Sequence, residues 1–374
     1  MPVLPNQNQN PNQNQNQNPN QDQNPQPAPN PFPQPNPVPP PNPIFPPPAL
    51  PAPMPAAPLT AWQVQPDPLP AELAPPDNPK GTIPVAGFNH LVFYPSSPSP
   101  FVAVAGKAGF TDVCEVWNLK TMKRVGPGIA AGFGGNVALS ADGVNLAAPT
   151  FAGGKMTVDV WNVADGRNVK IIVDEKPGIL QNVDFAGPGQ VLTAKHEGFE
   201  VLVQVWNVKT GAEVRNFKAS SRADKKQRAF SAGRKYLALF SNANDRILVY
   251  DLTTGRPAGD LAVAANSQCQ GLAFSPDGKS FAALFGMGQS SRLQIWDVAT
   301  GQSTGEHTLD QVPQSTFFYE GQAVEWLQDG GLMLFGQLLV DAKSGAVYWK
   351  LPTEALDGAP RRFFGSGCVA YVKG

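Results

Sequence analysis

Histidine and cysteine, the side chains that most often act as bases, nucleophiles and metal ligands, number three each: His90, His196 and His307, and Cys114, Cys269 and Cys368. His196 has a carboxylate beside it, Glu197 in the run TAKHEGFE, and no nucleophile adjoins the pair. General-base chemistry needs a proton donor within hydrogen-bond reach, so a solvated loop histidine with a structural role is the expectation here. The cysteines are odd in number, far apart and without a CxxC pair, and each sits in an apolar run. They are expected to be buried free thiols. No HExxH occurs, no GxSxG elbow joins a strand to a helix, and no glycine-rich phosphate loop precedes a helix. The sequence therefore names no catalytic, cofactor-binding or metal-binding residue.

Two other groups have the chemistry of recognition. The first is the aromatic run Phe317, Phe318 and Tyr319, preceded by Thr316. Exposed aromatic rings are favoured interface anchors because they bury a large area with few rotatable bonds. The plainer alternative is that the rings form an extra strand or plug the core. The second group is the cation cluster Arg222, Lys225, Lys226 and Arg228 in SSRADKKQR, which the plainer reading makes a solvated loop. Both groups are candidate partner-binding residues.

What must position them is a repeat. Aligned on an aromatic followed by Asn or Asp, the chain reads VWNLKTMK from Val116, VWNVADGR from Val160, VWNVKTGA from Val205, VYDLTTGR from Val249 and IWDVATGQ from Ile295. A sixth copy, VDAKSGAV, begins at Val340. The anchors Trp117, Trp161, Trp206, Tyr250, Trp296 and Val340 are spaced by 44, 45, 44, 46 and 44 residues. Five residues after each anchor stand Met122, Gly166, Gly211, Gly255, Gly301 and Gly345, as a tight turn with positive φ would select, with Met122 the exception. A second punctuation lies upstream of the anchors at Ala141-Asp142-Gly143, Gly187-Pro188-Gly189, Ala232-Gly233, Pro276-Asp277-Gly278 and Asp329-Gly330-Gly331. Strand-length apolar runs separate these turns, which predicts four strands per period.

Four antiparallel strands every 40 to 45 residues, the third ending in a Trp-Asp-like dipeptide, describe a propeller blade. Residues 88–374 resemble WD-repeat β-propellers, most fully in FSPDGKSFAALF through IWDVATG. The Gly-His dipeptide that usually opens such a repeat is missing. The resemblance thus implies an all-β propeller held mainly by apolar packing. Six anchors give six blades. The C-terminal RRFFGSGCVAYVKG adds two strands, which predicts a seventh blade completed by the N-terminal side through TAWQVQPDPLP, around Trp62, and TIPVAG at Thr82. Six blades with a C-terminal hairpin is the alternative.

Composition divides the rest. Of 41 prolines, 28 lie in residues 1–80, where one lysine stands against four acids. Residues 1–58 alternate Pro with Asn and Gln and cannot bury enough apolar surface to offset chain entropy, so they are expected to be a disordered tail. Residues 59–374 hold the propeller, with 59–87 as possible closing strands. Beyond residue 80 the net charge is about +2, too little for counterion-driven nucleic-acid binding. No basic leader, apolar leader or membrane-length run is seen, which predicts a cytoplasmic, monomeric protein. The inner-strand sequences NVALS, NVDFA, QRAFS and GLAFS offer almost nothing titratable. A scaffold for a protein or peptide partner is the expected function; a hydrolase or lyase with an unrecognised channel site, or an envelope-associated structural protein, are the alternatives.

Overall fold

A computed structural model describes residues 60–75, 83, 91–94, 99–108, 111–130, 137–152, 155–171, 179–197, 200–219, 227–242, 244–287, 290–310, 312, 323–327, 329–350, 361–364 and 368–371. All fall within the compact unit Met54–Gly374. The tail 1–58 and the stretch at Thr82, apart from Ile83, lie outside the described residues.

Among the described residues, apart from one 3-10 turn at Ala71–Leu73, every regular element is a β-strand. Six sheets contain four strands each in simple meander order. The first is β1 (Leu91–Tyr94), β2 (Phe101–Ala108), β3 (Thr111–Asn118) and β4 (Lys123–Ala130), and the second is β5 (Ala138–Leu139), β6 (Asn145–Ala152), β7 (Lys155–Asn162) and β8 (Asn168–Ile171). The third comprises β9 (Ile179–Gly187), β10 (Gln190–Glu197), β11 (Glu200–Asn207) and β12 (Glu213–Ala219). The fourth comprises β13 (Arg228–Phe230), β14 (Tyr236–Ser241), β15 (Arg246–Asp251) and β16 (Arg256–Ala262). The fifth holds β17 (Gln268–Phe274), β18 (Ser280–Met287), β19 (Ser290–Asp297) and β20 (Ser303–Leu309), and the sixth β21 (Val324–Trp326), β22 (Gly331–Leu334), β23 (Leu338–Asp341) and β24 (Val347–Lys350). A hairpin, β25 (Arg361–Phe364) with β26 (Cys368–Tyr371), follows.

Burial explains the sequence pattern strand by strand. A middle strand is covered on both faces by neighbouring sheets, so β11 (EVLVQVWN) is buried at six successive positions and shows no polar alternation. An outermost strand keeps one wet face, and β12 (EVRNFKA) alternates accordingly. From the second sheet onward each anchor packs back onto the preceding sheet. Trp161 joins Ala103, Cys114 and Val116 of the first sheet, and Trp206 joins Ala147 and Val160 of the second. Tyr250 joins Val203 and Phe217 of the third, Trp296 joins Phe240 and Val249 of the fourth, and Val340 joins Leu284 and Leu293 of the fifth. Five such clusters tie the six sheets into a succession of blades.

The residue after each anchor caps the outer turn. Asp297 Oδ1 accepts from Thr300 N and Thr300 Oγ1, both at 2.8 Å, and Asn207 Oδ1 accepts from Thr210 N at 3.0 Å. This Asx cap, followed by a residue with positive φ, gives the Trp-Asx-x-x-x-Gly pattern its physical meaning. Gly166, Gly211, Gly255, Gly301 and Gly345 lie at φ of 68° to 72°, and Met122 adopts φ 55° at the same position.

Among the described residues, the segment around Trp62 does not dock beside the C-terminal strands. Its hydrogen bonds and apolar contacts lie with the fourth and fifth sheets. The expectation that it completes a final blade is thereby corrected. The physical reason is that a single backbone bond, Gln63 N to Ala258 O at 2.7 Å, is all the ladder pairing it makes. Side-chain complementarity to the groove between those two sheets positions it instead.

Candidate functional site

In a meander, the first-to-second and third-to-fourth strand turns fall on one face of the disc. The second-to-third turns and the sheet-to-sheet connections fall on the other. Residues 60–69 run along the first face, down the groove between the fourth and fifth sheets. We call this segment the strap. It is extended, with Thr60, Trp62 and Val64 turned inward and Ala61, Gln63 and Gln65 exposed.

At the outer end of the groove Thr60 N donates to Asp260 Oδ1 at 2.6 Å. Asp260, 5% exposed, also pairs with the buried guanidinium of Arg246. Trp62 lies against two glycines. A Cβ built on Gly259 would stand 2.5 Å from its ring, and one on Gly301 would stand 2.7 Å away. The indole Nε1 donates to Val298 O at 2.8 Å. Val64 is fully buried in the cluster containing Tyr236, Phe281, Trp296 and Val298, and Gln65 N donates to the Tyr236 hydroxyl at 3.2 Å.

Further in, Asp67 enters the β13–β14 turn. Its Oδ2 accepts from Ser231 Oγ at 2.5 Å and from Lys235 N at 2.9 Å, while Gly233 N donates to its backbone carbonyl at 3.0 Å. A Cβ on Gly233 would come within 2.2 Å of Asp67 Oδ1. Beyond it Leu69 N donates to Pro276 O at 2.9 Å. At the 3-10 turn the segment reaches the first sheet, where Lys120 Nζ donates to Glu72 O at 3.3 Å.

The same turn holds Arg234 at φ 67°, where the second and fifth sheets have Gly143 and Gly278 at φ 70° and 69°. Its guanidinium, 8% exposed, donates to Asp184 Oδ1 at 3.0 Å and Phe185 O at 3.1 Å in β9, and lies 4.5 Å over the Phe230 ring. Bonds of this charge-assisted kind offset the strained backbone.

The residues singled out from sequence fare differently. Phe317, Phe318, Tyr319, Arg222, Lys225 and Lys226 lie outside the described residues. Arg228, expected in the connection with those cations, opens β13 opposite Leu239 and is 7% exposed. His196 is in β10 rather than a loop, and Glu197 beside it is engaged by Lys218 Nζ at 2.9 Å. The ammonium of Lys218 is held above its usual pKa by that carboxylate. Lys195 is almost fully buried, and desolvation lowers its pKa against the opposing pull of Glu197. Cys114 and Cys269 are buried free thiols, and burial raises the pKa of Cys114. Among the described residues no three His, Cys, Asp or Glu side chains gather to hold a metal, and no helix is long and apolar enough to cross a membrane.

No protein-family model matches the chain, and no curated protein matches it. Solved structures do. A chain from a study of two prolyl endopeptidases aligns with TM-score 0.51 at 15% identity, over 70% of this chain and 41% of that one. The fold is a β-propeller. The Cps50 (Swd1) propeller domain of Myceliophteria thermophila aligns with TM-score 0.47 at 15% identity, over 74% and 89% of the two chains. TolB of Acinetobacter baumannii aligns with TM-score 0.40 at 15% identity, over 57% of this chain and 52% of TolB, about half its length. Likeness at this identity concerns the fold alone.

Proposed function

We propose that this propeller is a non-catalytic, monomeric scaffold for a protein or peptide partner. The observation that carries the reading is the strap: the groove between two blades holds an extended segment through a buried apolar side chain, an aromatic anchor, a carboxylate and backbone bonds, with no reactive group involved. Recognition of an extended chain by a rigid disc is the ordinary work of such scaffolds. Partner contact is assigned to the opposite face, where the connections after Leu309 and Ala219 begin. On this reading Phe317, Phe318 and Tyr319 act as apolar anchors, and Arg222, Lys225 and Lys226 steer an acidic partner.

Replacing Phe317 and Phe318 together by Ser tests this reading. Affinity capture with the wild-type chain is expected to retain a partner in stoichiometric amount, and the double variant to lose it with an unchanged thermal transition. Unchanged capture, or a transition lowered by several degrees, would sink the assignment. Turnover of substrates in a small-molecule panel would replace the scaffold reading with an enzymatic one.

A further inference from the structure

The strap supplies to one blade junction what other junctions obtain from the propeller itself. In the second sheet Asp142 Oδ1 accepts from Ser140 Oγ at 2.6 Å and Val144 N at 3.0 Å. In the fifth, Asp277 Oδ1 accepts from Ser275 Oγ at 2.5 Å and Lys279 N at 3.0 Å. The fourth sheet has the serine, Ser231, and the matching amide, Lys235 N, but Gly233 stands at the acid's position, and the carboxylate arrives from Asp67. A second substitution of the same kind occurs at the outer end of the groove. The turn glycines Gly166, Gly255 and Gly345 are covered by Pro127, Phe217 and His307 of the preceding sheets, whereas Gly301 is covered by Trp62 of the strap.

We infer that the groove between the fourth and fifth blades is a peptide-recognition site for an extended Trp-x-Val-x-x-Asp segment, and that residues 60–69 are its resident, exchangeable ligand rather than a strand of the fold. The inference rests on the scaffold reading in one respect, that the propeller is a binding module, but it concerns the other face and a different ligand. Three separate subsites define the chemistry: a slot between two glycine backbones for an indole, an apolar hole for a β-branched side chain, and a turn lacking its carboxylate. The glycines are what make the site. At Gly233 and Gly259 any side chain would occupy the space that the ligand fills.

Tethering hides such a site. A short flexible linker gives an effective concentration on the order of 1 mM, so a segment that binds at about 10 μM when free is about 99% docked in the intact chain. The test therefore severs the tether without removing any residue. A protease site is inserted between Asp77 and Asn78 of the full chain, which is folded and then cut. A dye-labelled peptide of residues 58–71 is added, and its uptake is followed by fluorescence anisotropy.

The expected result is that the cut chain, but not the intact one, takes up the peptide and releases its own fragment with an unchanged circular-dichroism spectrum. Peptides carrying Trp62→Ala or Asp67→Asn should bind at least tenfold more weakly. In the intact chain, Gly233→Asp should restore the turn's own carboxylate as in Asp142 and Asp277, expel Asp67, and make residues 60–75 protease-sensitive while the propeller remains folded. Retention of the fragment through extended dilution with no peptide uptake would overturn the inference. So would equal binding of wild-type and altered peptides, or unfolding once the fragment leaves. The scaffold reading survives each of these, because it depends on partner capture through Phe317 and Phe318.

Discussion

The first-to-second strand turns of the fourth and fifth sheets have nearly the same backbone and opposite degrees of self-sufficiency. In the fifth, Ser275, Pro276, Asp277 and Gly278 contain everything the turn requires: a hydroxyl, a carboxylate to fix it and a glycine at φ 69°. In the fourth, Ser231, Ala232, Gly233 and Arg234 lack both the carboxylate and a glycine at the positive-φ position. The first is supplied by Asp67 of the strap, and the second is replaced by a strained arginine tied to Asp184 of the third sheet. A local geometry specified by a contiguous tetrapeptide in one blade is thus specified in the other by residues from three places in the chain. The fifth-sheet turn is legible from its own letters, and the fourth is not.

The largest expected effect tests what the two sheets share. Trp296 is 3% exposed and lies in the cluster that also holds Val64. Trp296→Ala leaves a cavity at the junction, and truncating a buried aromatic of this size costs about 3–5 kcal/mol. Chemical denaturation should show the lowered midpoint, with loss of protection in residues 60–69 by hydrogen exchange. An unaltered midpoint would mean that the aromatic anchors do not carry the blade contacts, and the comparison between junctions would lose its common ground.

A smaller pair of substitutions sharpens the contrast itself. Asp67→Ala and Asp277→Ala each leave a serine hydroxyl and a backbone amide without their acceptor, at about 1–3 kcal/mol in either case. Their consequences should differ in kind. Asp277→Ala should loosen only its own turn, whereas Asp67→Ala should also render residues 60–75 sensitive to limited proteolysis. Restoring the carboxylate within the turn, by Asp67→Gly with Gly233→Asp, should recover the stability lost in Asp67→Ala without restoring the strap's protection. If both single variants leave the strap equally protected, Asp67 is a turn-capping residue with no part in docking.

Why the strap was misplaced from sequence, when six sheets were placed correctly, follows from the range of the interactions. The anchors at Trp117 through Val340 are set by contacts within one repeat and with the preceding one, so a 44-to-46-residue spacing suffices to find them. Trp62 has the same residue type and an extended neighbourhood, and was grouped with them. Its partners Gly259, Val298 and Gly301 lie 197 to 239 residues away, and pattern alone does not connect them. One signal was available: Gly233 stands where Asp142 and Asp277 stand, which leaves Ser231 without an acid, while Asp67 is one of four acids in the first 80 residues. Arg228 is 7% exposed, and the burial of a charged residue at the start of a strand has no mark in the local sequence.

The smallest effect concerns a turn of the first sheet in which the repeat departs from glycine. Met122 adopts φ 55° where Gly166, Gly211, Gly255, Gly301 and Gly345 adopt nearly the same angle without a side chain. An L-residue in the left-handed region brings Cβ against its following carbonyl, at about 1–2 kcal/mol, and glycine removes that contact. Glycine also gains more freedom in the unfolded chain, which returns part of the benefit. Met122 is half-buried, so some packing is lost as well. The net expectation for Met122→Gly is a stabilisation of about 0.5–1 kcal/mol, seen as a melting temperature raised by about 2 °C in a domain of this size. Met122→Asn should give part of the gain, since Asn tolerates this conformation. Met122→Ala should give none, because it keeps the Cβ that causes the strain. A rise for Ala equal to that for Gly would show that the methionine side chain, and not the backbone angle, is what the first turn tolerates poorly.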